Sequence, residues 1–352
     1  MIAGRTHSGM KPLAAAIGLL LALASSQALP QPSAGGSGPD AITPAAERAI
    51  GRGLTWLAGR QHDDGSFGSG PYYGNVAITA LAGMAFLADG STPDRGPHGR
   101  RISLAIDYLL ASALPSGFIN APRGAGHGPM YGHGFATLFL AECHGMSQRP
   151  ELRETLSKAV KLIVNAQNKG GGWRYYPQRS DADISVTVCQ AMALRAARNA
   201  GLHVPKEIMD RSVEYVKRCQ NADGGFRYQL EPGESAFPRS AAALVALTSA
   251  GVYEGQELQR GIQYLVQFLP KPGVVQREVY YEYGHYYAVQ VMWQIGDKTW
   301  RQWYPAIRDD LLARQRENGS WAAPTAIDVD YTTAMSLIVL ELPNDLLPIF
   351  QR

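Results

Sequence analysis

Two short patterns in this sequence place acid–base side chains at recurring intervals. Tyr131-Gly132-His133 returns as Tyr283-Gly284-His285, and Asp181-Ala182-Asp183 returns as Asp328-Val329-Asp330. A carboxylate beside an imidazole can orient the ring and raise its pKa, which suits the pair to general acid–base work. Imidazole and carboxylate are also zinc ligands. Two ligands per pair are too few for a tight site, so no metal is assigned. A third role is to line a binding mouth without chemistry. The aspartates have a structural alternative, since carboxylates cap helix N-termini and satisfy free N–H groups. Histidine is an unusual cap, so His133 and His285 are expected to have another task.

The elements that position these residues are repeats. Four segments share Gln-x-x-x-Gly-[Gly/Ser]-[Phe/Trp]: Gln61 to Phe67, Gln167 to Trp173, Gln220 to Phe226 and Gln315 to Trp321. The Gln residues are 106, 53 and 95 apart, which fits a period of about 50 residues. A degenerate copy falls at Ser116-Gly117-Phe118, and Lys271-Pro272-Gly273 replaces another. Each pattern follows an amphipathic stretch such as Leu152 to Ala166, and a second, more uniformly apolar helix comes next. A helix apolar nearly all round is buried, so the second helices should form an inner ring and the first an outer one. Capping repeats are absent at both ends, which favours a closed ring over an open solenoid.

Aligning the six inner-helix starts puts Asn75, His133, Asp183, Arg239, His285 and Asp330 at one position, with Tyr73, Tyr131, Asp181, Tyr283 and Asp328 two residues earlier. Thr79, Thr137 and Thr187 follow four residues later. In a closed ring these tips converge on one mouth. Neighbouring helices lie about 8–10 Å apart, so His133 should face Asp183, and His285 should face Asp330. The expected catalytic set is Asp183, His133, His285 and Asp330. The expected ligand-binding set is Tyr73, Asn75, Tyr131, Asp181, Arg239, Tyr283 and Asp328. Aromatics from Tyr280 to Tyr287, then Trp293, Trp300, Trp303 and Tyr304, either pack between repeats 5 and 6 or line the rim.

The Gln…Gly-aromatic segments resemble the QW repeats of squalene and oxidosqualene cyclases and the related repeats of prenyltransferase β subunits. The resemblance runs from Ala45 to about Leu342 and implies an all-α fold, an (α/α)6 toroid of six tandem helix pairs. It also implies a structural role for the Gln and aromatic residues. Class II terpene cyclases protonate an alkene with the central acid of Asp-x-Asp-Asp. Asp181-Ala-Asp183-Ile184 keeps two of those acids and has Ile at the third, so Asp183 would be the acid. The Asp-x-Cys zinc ligands of prenyltransferases do not occur here.

Composition narrows the setting. The chain has 352 residues, 45% hydrophobic and 18% charged, with a formal charge of +3. Arg5, His7 and Lys11, then the apolar Leu13 to Ala24 and the small-x-small Ser26-Gln27-Ala28, read as a secretory signal over residues 1–28. A flexible linker is expected over 29–44 and the toroid over 45–352. Without Arg5 and Lys11 the chain carries 31 basic against 30 acidic residues, which excludes the concentrated basic face of a nucleic-acid binder. No span of the mature chain is apolar enough to cross a membrane. Cys143, Cys189 and Cys219 sit in apolar stretches and read as buried thiols. The expectation is an exported, periplasmic or extracellular binding or scaffold protein whose mouth receives an apolar, isoprenoid-like or protein ligand. The alternative is a terpenoid cyclase-like enzyme that uses an Asp or a His/Asp acid. No cofactor is assigned.

Overall fold

A computed structural model describes residues 41–121, 128–271, 280–322 and 328–351. The expected signal and most of the linker lie outside the described residues, as does Pro272-Gly273. Twelve α-helices form among the described residues: α1 (Pro44–Ala58), α2 (Val76–Ala88), α3 (Gly99–Ala111), α4 (Pro129–His144), α5 (Glu151–Ala166), α6 (Ile184–Asn199), α7 (Lys206–Arg218), α8 (Phe237–Ser249), α9 (Gln256–Val266), α10 (Tyr281–Ile295), α11 (Asp297–Arg314) and α12 (Val329–Glu341). The even-numbered helices are the inner ones. Every residue of α2 except Ala77 is buried, whereas α7 buries only a stripe from Ile208 to Val216. Each inner helix packs on the next, and α12 packs back on α2. The ring is closed.

The repeat motif closes it. The amide of Gln167 donates to its own Gly171 carbonyl and to Ile208 of the next outer helix, both at 2.8 Å. Gln61 reaches Arg101, and Gln220 reaches Glu257. Gln315 donates to Ala49 of α1 at 2.8 Å, so the last repeat is bonded to the first. The motif glycines are required twice over. Gly171 has φ +101°, and a Cβ there would collide with the Arg211 carbonyl of the next outer helix. In the degenerate copy, Ile119 fills the aromatic place, because Gly117 is the residue at φ +88° that lies under Lys158.

The motif also sets the register of the inner helices. The backbone N–H of the aromatic-position residue donates to one inner-helix side chain. Phe67 donates to Thr79, Ile119 to His133, Trp173 to Thr187, Phe226 to Ser240 and Trp321 to Thr333. His133 is therefore equivalent to Thr79 and Thr187, not to Asn75 and Asp183 as the sequence alignment had it. The error is close to one helical turn, which leaves the apolar face unchanged and so is invisible to periodicity.

The ends of the ring differ. At the C-terminal ends of the inner helices, the tail packs inward with Leu347, Ile349 and Phe350 buried. The Ile349 N–H donates to the Glu142 carboxylate at 3.3 Å, and the Phe350 ring lies 6.5 Å from that of Tyr286. The N-terminal ends form the mouth.

Candidate functional site

Residues spaced as Tyr131, Phe135, Leu138 and Glu142 lie on one face of α4. Gly132 of this helix abuts α2, and Gly134 abuts Cys189 and Gln190 of α6. The face between them points into the ring. By the same register the lumen-facing residues begin with Ser185 on α6, Tyr283 on α10 and Tyr331 on α12. These and Tyr131 are partly exposed. One layer deeper, Leu81, Phe135, Cys189, Ala242, Tyr287 and Met335 are 0–4% exposed. The Cys189 thiol meets the Tyr287 hydroxyl at 3.5 Å, and the ring of Phe135 lies 6.3 Å from that of Tyr286 on the opposite helix. Below the mouth, the protein's own side chains cross the lumen.

The expected His/Asp pairs do not form. His133 is fully buried, with Nδ1 accepting the Ile119 N–H at 3.1 Å and Nε2 3.4 Å from the Ala159 carbonyl. That geometry puts the proton on Nε2, and burial lowers the pKa to about 4. His285 sits among Tyr281, Phe237 and Trp303, ring centroids 4.4, 4.9 and 5.8 Å away. Among the described residues neither of its nitrogens has a hydrogen-bond partner, and burial lowers its pKa to about 3. Both imidazoles are neutral and point away from the lumen.

The aspartates are committed to the fold. Asp183 caps α6, with Oδ1 accepting the Val186 N–H at 2.9 Å and Oδ2 2.7 Å from Arg174. The same guanidinium bonds Asp181 at 3.0 Å and the Tyr228 hydroxyl at 3.0 Å, and it lies over the Tyr175 ring. Burial raises the pKa of Asp183, against the pull of the Val186 N–H and Arg174. On α12 the cap is Asp328, two residues before the position expected. It accepts from the Ser69 backbone, and Asp330 accepts from the Gly68 N–H at 2.9 Å and from Arg60 at 3.0 Å. This second Asp-x-Asp joins repeat 6 to repeat 1 across the ring closure.

The remaining expected residues divide. Asn75 caps α2 through the Ala77 and Ile78 N–H groups, and Tyr73 is 43% exposed beside His62. Tyr131 and Tyr283 are the lumen-facing pair of the mouth. Arg239 lies in the first turn of α8. Sequence reasoning passed over two residues. Tyr331 completes the aromatic rim, and the six-helix register would have revealed it. Glu282 sits in the first turn of α10; burial raises its pKa while its own backbone N–H and Arg314 lower it. Its neighbours in sequence are aromatic, which drew attention to Tyr281 and Tyr283 instead. Among the described residues no group of three His, Cys, Asp or Glu could hold a metal ion, and no helix is long and apolar enough to cross a membrane. All three cysteines are buried free thiols.

Comparison with known proteins follows this geometry. The family model of the squalene-hopene cyclase C-terminal domain matches residues 137–308. A drimenyl diphosphate synthase of Streptomyces showdoensis is 27% identical over 261 residues, covering 72% of this chain and 42% of that protein. A squalene hopane cyclase of Aspergillus fumigatus is 25% identical over 237 residues, covering 63% and 30%. The chain thus spans less than half the length of these curated relatives. Among solved structures, the type II terpene cyclase MstE of Scytonema superposes with TM-score 0.61 at 16% identity, covering 86% of this chain and 99% of that one. An alpha-1,6-mannanase of a Salegentibacter species superposes with TM-score 0.62 at 9% identity, covering 84% and 98%. The last two establish a shared toroid and nothing about chemistry.

Proposed function

We propose, for a chain that belongs to the squalene cyclase-like superfamily, that it is a binding protein whose ligand occupies the tyrosine-rimmed mouth of the toroid. One observation carries the reading. The acids and imidazoles expected to do chemistry are engaged in caps, seams and packing, while Tyr131, Tyr283 and Tyr331 remain partly exposed over a filled lumen. Asp183 is a poor alkene-protonating acid when Arg174 holds its carboxylate at 2.7 Å. A shallow aromatic rim suits an apolar or isoprenoid-like body. The MstE structure with geranylgeranyl dihydroxybenzoate as substrate supports that ligand class by analogy of fold. The proposal includes export, on the strength of the segment from Arg5 to Ala28.

The test is native mass spectrometry of the protein recovered from the compartment it is exported to. We expect a retained small molecule that Tyr131→Ala/Tyr283→Ala loses, and an N-terminus at Leu29. A ligand unaffected by that double substitution would place binding elsewhere. A second reading, a terpenoid cyclase-like enzyme, is favoured by Glu282, whose pKa burial raises against the pull of its own backbone N–H and Arg314. Turnover of an oligoprenyl substrate that is abolished by Glu282→Gln would establish it over the first.

A further inference from the structure

The motif-to-helix hydrogen bonds give five inner helices a common register, the repeated Tyr-Gly-His extends it to α10, and one residue in that register is out of character. The position just before Thr79, His133, Thr187, Ser240, His285 and Thr333 holds Ile78, Gly132, Val186, Arg239, Gly284 and Thr332. In repeats 2 and 5 it faces the preceding inner helix. A Cβ on Gly132 would meet Val76 of α2 at 3.3 Å, and one on Gly284 would meet Phe237 of α8 at 2.6 Å. Five repeats hold nothing larger than isoleucine there. The fourth places an arginine at this position, in the first turn of α8.

The Arg239 Nε is buried and has no hydrogen-bond partner, and no ion pair reaches this guanidinium among the described residues. Its counterparts around the mouth are neutralised, Arg174 by Asp181 and Asp183, and Arg60 by Asp330. Burying a donor of a charged group without a partner is costly, and nothing in the packing repays it. The residue is only partly buried, so the rest of its fork is reachable from the mouth. The tyrosines of the mouth bring no countercharge, since burial pushes the pKa values of Tyr131, Tyr283 and Tyr331 upward.

We propose that Arg239 anchors the carboxylate of an amphiphilic monoacid whose apolar body lies over Tyr131 and Tyr283. The inference rests on the mouth reading above and adds the head group. A single guanidinium fork matches one carboxylate in bidentate geometry. A diphosphate would demand more cations than the one left unpaired among the described residues of the mouth.

The experiment is calorimetric titration of the full chain at neutral pH with three probes sharing one tail: farnesoate, farnesol and farnesyl diphosphate, each below its critical micelle concentration. Farnesoate is expected to bind on the order of tenfold or more tighter than farnesol, the size of a charge-assisted hydrogen bond, and tighter than the diphosphate. Arg239→Gln should erase the preference for farnesoate over farnesol. Arg239→Met should also raise the melting temperature, which an arginine kept for the fold would not do. Equal binding of farnesoate and farnesol, a preference that survives Arg239→Gln, tighter diphosphate binding, or no farnesoate binding would each overturn the inference. The mouth reading fails separately, if farnesol affinity is indifferent to Tyr131→Ala/Tyr283→Ala.

Discussion

Repeats 2–3 and repeats 5–6 lie on opposite sides of the ring and carry the same Tyr-Gly-His and Asp-x-Asp, yet the two halves use them differently. His133 bridges its motif loop and the next outer helix through both nitrogens, while His285 packs as an aromatic with neither nitrogen bonded among the described residues. Asp183 caps α6 and holds Arg174; on α12 the cap passes to Asp328, leaving Asp330 to clasp repeat 1. Residue identity sets what a side chain can do. Its offset from the helix start and the loop that reaches it decide what it does.

The largest effect expected from this contrast is at the aspartates. Asp183→Ala removes a cap and a buried ion-pair partner together, and should cost about 3–5 kcal/mol by chemical denaturation. Asp330→Ala should cost less, about 2 kcal/mol, because the Arg60 side chain is 38% exposed and can return to water. Its signature is local: amide exchange should accelerate at Gly68 and Ser69. Equal costs for the two variants would erase the difference between the halves.

The histidines come next, through pH. Both have folded pKa values depressed from 6.5, His133 to about 4 and His285 to about 3. The unfolded chain therefore binds protons that the folded chain cannot. Stability from these neutral rings is complete above pH 6.5 and is lost as pH falls toward those values, by about 3–5 kcal/mol for each. Urea midpoints measured down the acid range should show the slope, and His285→Phe should remove about half of it. A profile flat below pH 6.5 would mean the rings are charged in the fold.

The toroid was legible because its determinants are local. Gln, a positive-φ glycine and an aromatic recur in order, and the hydrogen bonds they make to the next outer helix are the fold. The rim tyrosines Tyr131 and Tyr283 were legible for the same reason. The pairings across helices were not. Asp183 meets Arg174, nine residues earlier and inside a loop, and that loop carries no periodic signal to place it. Asp330 meets Arg60 at the other end of the chain. A slip of one helical turn keeps every apolar residue on its face, so nothing in the pattern excluded the incorrect His/Asp register. Arg239 was picked out, but its place in the common register required the motif hydrogen bonds.

Direct substitution separates the histidines further. His133→Leu keeps the apolar bulk but orphans the Ile119 N–H, and should cost about 2 kcal/mol. His285→Leu loses no hydrogen bond and should be neutral to within about 0.5 kcal/mol, or stabilising. Thermal unfolding of the two variants decides it. Comparable losses would mean that His285, too, holds a backbone group.

A last contrast lies two and a half turns further into the same two helices, where Glu142 of repeat 2 corresponds to Gln294 of repeat 5. Burial raises the Glu142 pKa from 4.5 to about 7, opposed by the Ile349 N–H and Arg195. Between those values the folded carboxyl keeps a proton that the unfolded chain has released. The stability tied to that proton is present below pH 4.5 and is lost as pH rises through about 7, the opposite slope to the histidines. Glu142→Gln makes repeat 2 like repeat 5 here and keeps an acceptor for the tail. Its melting temperature should therefore gain on the parent protein as pH climbs across this window and stay level above it, by the equivalent of about 3 kcal/mol. A difference independent of pH would mean that Glu142 stays ionised, with Arg195 rather than a proton balancing its charge beneath the tail.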